Sequence, residues 1–189
     1  LAVVTLRAHG RACHAAEPWK GENAIDKLID GYQRVRALFP VVIPPDEWHD
    51  TMAATIMQAG TVHNRVPDSA EMTLNLRFTE KTNFDELLAQ MREVTELEVE
   101  AGMHDFPVFC DQDNAAIKGF VEHMQKSLDR EISIKRSNGA TDARHFARLG
   151  VPIGIIGVPG KDLHGSDEAI DIPAMQTYED MLVEYLCDG

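Results

Sequence analysis

The run Glu71-Met72-Thr73-Leu74-Asn75-Leu76-Arg77-Phe78 alternates four apolar residues with four polar or charged ones. Successive side chains of a β-strand point to opposite faces, so this period of two predicts a strand with one buried face and one wet face. Such strands belong to antiparallel sheets packed on one side only. Upstream, Met52 to Ala59 reads as a second strand of the same sheet, and the β-branched stretch within Ala2 to Ala12, with Gly10 as a turn former, reads as the leading one. Between these two, Asn23 is placed to cap a helix in which Ile25, Leu28, Ile29, Tyr32, Val35 and Leu38 recur every three or four residues, with Pro40, Pro44 and Pro45 ending it. Downstream, Asn83 and Glu86 form a capping box before Phe84, Leu87, Leu88, Met91 and Val94, and Leu97 to Ala101 follows as a fourth strand. The order βαββαβ is the ferredoxin-like split pattern, in which two helices cover one face of an antiparallel sheet. About 100 residues can close such a core independently, so residues 1–104 are expected to form one domain.

Residues 105–189 read differently. After the irregular Gly102 to Asn114 come a helix with Ile117, Phe120, Val121, Met124 and Leu128, a short strand Ile132 to Lys135, and a helix near Thr141 to Leu149. A strand Val151 to Ile156, a loop rich in Gly and Pro from Gly157 to Gly165, and a last helix with Met175, Tyr178, Met181, Leu182 and Tyr185 complete an αβαβα block. Two strands do not make a full doubly wound sheet, so this block is expected to be the C-terminal portion of an α/β domain whose other strands precede Leu1. Leu1 itself opens directly into a strand-like stretch, with no initiator Met, basic leader or cleavage site. The chain is therefore expected to be a fragment, of α/β class overall with an α+β first domain.

With 189 residues, 44% of them hydrophobic and 26% charged, the composition is that of a globular protein rather than a disordered or fibrous one. A net charge of −13 repels phosphate backbones, which argues against nucleic acid as a partner. No apolar run approaches the roughly 20 residues that span a bilayer, since Lys81, Asp105, Asp111 and Lys161 interrupt the longer ones, so no membrane association is expected. Cys13, Cys110 and Cys187 are odd in number, widely spaced and without a CxxC pair, so neither a disulfide framework nor a cysteine zinc site is indicated, and the cytoplasm is the default compartment.

Among residues that carry chemistry, His164 follows a buried strand in a loop that also holds Asp162, Asp167 and Glu168. Loops at the C-terminal ends of strands in α/β sheets collect ligands. Zinc nevertheless needs three or four ligands, and His164 has no second one at HExxH spacing. Gly139, Thr141, Asp142 and Arg144 lie in a polar turn that opens a helix, where free amides and a guanidinium suit an anion and where a plain N-cap is the alternative. His14 and Asn64 occupy loops of the first domain as turn residues, and Arg77 lies on the wet face of its strand.

Four strings change the weight of these residues when taken together. CHAAEPWKGENAI (Cys13 to Ile25), GTVHNRVPDSAEMTLNLRF (Gly60 to Phe78), NGATDARHFARLGVP (Asn138 to Pro152) and HGSDE (His164 to Glu168) occur in family-like order and spacing over nearly the whole chain. They resemble the co-catalytic zinc amidohydrolases and exopeptidases that include succinyl-diaminopimelate desuccinylase, acetylornithine deacetylase, glutamate carboxypeptidase and tripeptide aminopeptidase. The resemblance implies that residues 1–104 are the lid, which is also the dimerisation domain, and that residues 105–189 end a zinc-binding catalytic domain. It implies two zinc ions, or cobalt or manganese in their place, in the complete enzyme, with His164 as the C-terminal ligand. It makes His14 the lid histidine that stabilises the oxyanion, in many dimeric members within the partner subunit's site, and Asn64 a helper in the same region. Arg77 and Arg144 are similar to arginines that hold a substrate carboxylate, and Gly139, Thr141 and Asp142 match the turn that shapes the pocket. The implied activity is hydrolysis of amide bonds in N-acyl amino acids or small peptides bearing a free carboxylate, by a homodimer joined through the lid.

The departures are specific. The family's HxD histidine, bridging Asp, acidic ligands and catalytic Glu normally precede the lid and have no counterpart here, so the chain alone is expected to be inactive. Cys13 stands where Gly is common, and His63 where some members have a second Asn. A non-catalytic ferredoxin-like dimerisation or ligand-binding module, or a degenerate inactive homologue, is the competing reading.

Overall fold

The structure is a computed structural model that describes residues 1–39, 48–137 and 139–188. Pro40, Pro44 and Pro45, expected to end the first helix, and Asn138 of the expected polar turn lie outside the described residues. The chain divides into two compact units, Leu1–Pro107 with Asn138–Arg144, and Val108–Ser137 with His145–Gly189.

The first unit is built on β1 (Ala2–His9), β2 (Cys13–His14), α1 (Ala24–Arg36), β3 (Thr51–Ala59), β4 (Arg65–Val66), β5 (Ser69–Arg77), α2 (Phe84–Val94) and β6 (Glu98–His104). Four of these strands form one sheet in the order β3-β5-β1-β6, and every neighbouring pair is antiparallel. This is the expected βαββαβ fold, with β5 and β1 at its centre. Alternation places Ala2, Val4, Leu6 and Ala8 of β1 opposite Leu76, Leu74, Met72 and Ala70 of β5, all buried on one face. Onto that face α1 sets Ala24, Leu28 and Val35, and α2 sets Phe84, Leu87, Leu88 and Met91, the helical three-and-four spacing supplying one apolar stripe each. Both N-caps form as expected, though Glu86 Oε1 accepts from Asn83 Nδ2 at 3.3 Å and not from the Asn83 amide as a full capping box requires. Asn23 Oδ1 accepts from the Ile25 amide at 3.0 Å, and Asn83 Oδ1 from the Asp85 and Glu86 amides at 3.0 and 3.4 Å. Phe78 stacks on Phe84 with ring centroids 5.6 Å apart, tying the end of β5 to the start of α2.

The leading strand stops at His9 rather than Ala12. A Cβ on Gly10 would collide with the Glu22 carbonyl oxygen, so only glycine lets the chain leave the sheet there and pair Arg11 with Glu22. Two short strands that periodicity does not show, β2 and β4, then form a separate ribbon.

In the second unit α3 (Ala115–Leu128) packs on α4 (Ile172–Asp188) around buried Met124, Tyr178 and Met181. The Arg130 guanidinium hydrogen-bonds the Tyr178 hydroxyl, and an imidazole nitrogen of His123 bonds the Met181 carbonyl at 3.0 Å. A two-stranded hairpin of β7 (Gly160–Lys161) and β8 (Ala169–Ile170) completes it. The expected strands Ile132 to Lys135 and Val151 to Ile156 are not formed. A strand exists only through a neighbour's ladder, no described segment supplies one, and Ile132 and Ile156 pack instead beside the α3–α4 cluster. The helix expected near Thr141 to Leu149 is a 3-10 helix over Asp142–Leu149, because Thr141 Oγ1 accepts from the Ala143 amide and its carbonyl from the Arg144 amide, an i to i+3 pattern. Among the described residues no helix is long and apolar enough to cross a membrane.

Candidate functional site

The ribbon brings His14 and Asn64 together across fifty residues of sequence. His14 pairs with Arg65 and Cys13 with Val66, while the Asn64 carbonyl accepts from the Ala15 amide at 3.0 Å. The ribbon is anchored at the sheet's end by Gly10 N–H to the Asp68 carbonyl at 2.9 Å and Ala24 N–H to the Pro67 carbonyl at 3.0 Å. His14 and Asn64 are both exposed. The turn that follows is closed by a hydrogen bond from the Glu17 amide to the His14 carbonyl at 2.9 Å and by the Lys20–Glu17 ion pair at 2.7 Å.

Arg77 lies at the opposite end of β5, half-buried, with Nε donating to Asn75 Oδ1 at 3.0 Å. Eight residue steps along the strand separate it from Ser69, next to the ribbon, which is about 26 Å at roughly 3.3 Å per residue. One chain's His14 and its own Arg77 are therefore not parts of one small-molecule site. Arg77 instead shares its region with Arg144 and Asp105. Arg144 Nε sits 3.0 Å from Asp105 Oδ2 as an ion pair without the alignment of a hydrogen bond, and its Nη1 lies 3.2 Å from Asp142 Oδ1 and from the Thr141 carbonyl. The backbone ties this region together, with Asp105 N–H donating to the Leu1 carbonyl at 2.8 Å. Sequence reasoning did not single out Asp105, 39 residues from Arg144 in an irregular stretch with no periodic signal.

His164 belongs to the second unit, on the loop between β7 and β8. It is exposed, with φ 64°, and its amide donates to Glu168 Oε2 at 3.3 Å. Asp162, at φ 53°, closes the same loop: its carbonyl accepts from Gly165 N–H at 2.7 Å and its Oδ2 from Asp167 N–H at 3.0 Å. Two non-glycine residues held in the left-handed region mark a loop shaped at an energetic cost. Among the described residues no three His, Cys, Asp or Glu side chains come together to hold a metal ion. Of the expected ligand set, this chain supplies one imidazole, that of His164. A hollow of about 200 Å³ lies between α1 and the α2–β6 turn, lined by residues that include Lys27, Gly31, Arg34 and Leu97, and contains none of the candidate residues.

A four-stranded antiparallel sheet covered on one face by two helices makes the first unit a ferredoxin-like α+β domain. The family model described as peptidase dimerisation domain matches residues 1–102, and the chain belongs to that family, the M20 metallopeptidases. It is 25% identical over 193 residues to succinyl-diaminopimelate desuccinylase of Corynebacterium glutamicum, covering 98% of this chain and 51% of that protein. It is 28% identical over 190 residues to a putative succinyl-diaminopimelate desuccinylase of Mycobacterium tuberculosis, with 97% and 52% covered. Among solved structures it resembles a Staphylococcus aureus tripeptidase (TM-score 0.75, 17% identity, 97% of this chain and 50% of that one). An aminopeptidase from Bacillus cereus gives a TM-score of 0.73 at 22% identity, with 96% and 50% covered. The chain spans about half the length of the curated relatives it matches.

Proposed function

We propose that this chain is the lid, residues 1–104, and the C-terminal catalytic segment, residues 105–189, of a metal-dependent amide hydrolase acting on N-acyl amino acids or short peptides with a free carboxylate. The observation that carries the reading is the β2–β4 ribbon: it sets His14 beside Asn64, exposed, on a domain of the dimerisation family. In this reading His14 donates a hydrogen bond to the oxygen that gains charge when the amide is attacked, and Asn64 assists it. Arg77 and Arg144 take the substrate carboxylate, in a pocket shaped by Gly139, Thr141 and Asp142. His164 is one ligand of a two-zinc centre, or of cobalt or manganese in its place, whose other ligands and base come from outside this chain.

The separation of His14 from Arg77 along β5 supports a homodimer, because a site that uses both draws them from two copies. The edge of the sheet supports it as well. Strand β3 pairs only with β5 among the described residues, and its nine residues carry no charge and leave Ile56 and Met57 about half exposed. Natural edge strands are usually blunted by charge, proline or a cover. An uncharged edge in a dimerisation domain fits a second copy of itself, added antiparallel. The thiols of Cys13, Cys110 and Cys187 are free, which fits a reducing compartment such as the cytoplasm.

Replacing His14 by Ala in the complete protein is expected to reduce turnover of an N-acyl amino acid or dipeptide roughly 100-fold or more. Unchanged turnover would remove His14 from the chemistry. A dimerisation or ligand-binding module without catalysis, and a homologue that has lost activity, are the competing readings. They leave the exposed imidazole and amide pair without a purpose, and they predict no amidase activity in the complete protein with metal added.

A further inference from the structure

The turn after His14 uses three consecutive backbone amides, and each has a fixed acceptor. Ala15 N–H bonds to the Asn64 carbonyl at 3.0 Å, Ala16 N–H to Nδ1 of His14 at 3.0 Å, and Glu17 N–H to the His14 carbonyl at 2.9 Å. The middle bond bears on the side chain's chemistry. A neutral imidazole carries one N–H, and the nitrogen that accepts a hydrogen bond is the one without it. With Nδ1 accepting from Ala16, the hydrogen lies on Nε2. That nitrogen makes no hydrogen bond among the described residues and stands on an exposed turn.

We infer that the Ala16 amide holds His14 in the Nε2–H tautomer, so that the ring presents a hydrogen-bond donor and not a base. Ala16 is thus a positioning residue, acting through His14. A neutral ring in this state has no lone pair on its outward nitrogen with which to take a proton from water or a leaving amine. It can only lend a hydrogen to an oxygen that is gaining negative charge. Rotation of the ring to expose Nδ1 would strip the Ala16 amide of its acceptor, and the bonds at Ala15 and Glu17 prevent the backbone from following. Any side chain at position 16 keeps this amide except proline, which lacks it.

This inference rests on the assignment of His14 to the reaction, and its tests separate the two. The complete protein labelled with [15N]histidine gives the tautomer directly from long-range 1H–15N correlations, with the His14 signal identified by its loss in His14→Gln. A hydrogen on Nε2 is expected; a hydrogen on Nδ1 would overturn the inference whatever the enzyme does. Ala16→Gly retains the amide and is expected to keep the tautomer. Ala16→Pro removes it and is expected to give a mixture of tautomers and a lower kcat with KM little changed. A single Nε2–H tautomer in folded Ala16→Pro would show that the amide does not set it.

If Ala16→Pro fails to fold, His14→Gln still decides between donor and base. Its carboxamide nitrogen can donate near the Nε2 position but cannot act as a base. The variant is expected to lose no more than about tenfold in turnover, where His14→Ala loses roughly 100-fold or more. Equal losses in His14→Gln and His14→Ala would overturn the donor role while leaving His14 in the reaction. No loss in His14→Ala would instead defeat the functional assignment.

Discussion

Placing a lysine at position 56 tests the exposed sheet edge as the dimer contact. Ile56 lies on β3 just past a register shift between Ala54 and Ile56, and 55% of it is exposed. Fully burying such a side chain contributes about 1.5–3 kcal/mol, so covering the exposed half is worth about 1 kcal/mol per copy. A two-fold contact counts each residue twice, which gives about 2 kcal/mol lost in Ile56→Lys. Like charges brought close across the new ladder add up to about 1 kcal/mol more. Together these weaken dimerisation by roughly 30- to 100-fold, at about 1.4 kcal/mol per tenfold. Sedimentation velocity over a concentration series measures this, with Met103→Lys as the control, since Met103 is exposed on β6 at the opposite edge. A dissociation constant unchanged in Ile56→Lys but raised in Met103→Lys would show that the copies join through β6, and the argument from the uncharged edge would be wrong.

Three further outcomes follow from the same structure. Arg77→Ala should raise KM for a carboxylate-bearing substrate by about 10- to 100-fold, the worth of a hydrogen bond to a charged group, and leave kcat nearly unchanged; an equal effect on the matching amide substrate would sink the carboxylate role. Gly31→Ala gains about 1 kcal/mol of helix propensity but sets a Cβ within 2.5 Å of Leu97 Cγ and Thr95 Oγ1, and overpacking of about 1–3 kcal/mol should outweigh the gain and lower the thermal midpoint; a raised midpoint would refute it. Lys118, 2.6 Å from Asp113, holds that carboxyl below the usual aspartate pKa through a hydrogen bond and then its charge. Because the folded value is the depressed one, this contribution is present above the unfolded pKa and is lost as pH falls through the folded one. An NMR titration should find the Asp113 midpoint low and Lys118→Met should bring it back up, whereas no change on that substitution would remove Lys118 as the cause.

What the sequence discloses follows from how far apart the interacting residues lie. Asn23 and Asn83 bond amides two or three residues away, so both helix starts are written locally, and the alternation of Met72, Leu74, Leu76 and Phe78 reports a buried face whatever strand lies beside it. Ile132 to Lys135 and Val151 to Ile156 show the limit of that logic: their apolar content resembles that of a strand, yet a strand is completed by its neighbour's backbone, and Ile132 and Ile156 turn to the α3–α4 cluster instead while Ile134 and Ile155 are exposed. The ribbon of β2 and β4 is the converse case. Two residues on each side are too few to show any period, and the pairing is made by Asp68, Pro67 and Asn64 carbonyls meeting amides of Gly10, Ala24 and Ala15 more than forty residues away. The matching strings mark His14 and Asn64 as candidates without showing how either is held. The added content is in the backbone. Carbonyls and amides that are the same in every sequence decide which imidazole nitrogen faces outward, while the sequence contributes by withholding proline at position 16 and a side chain at Gly10.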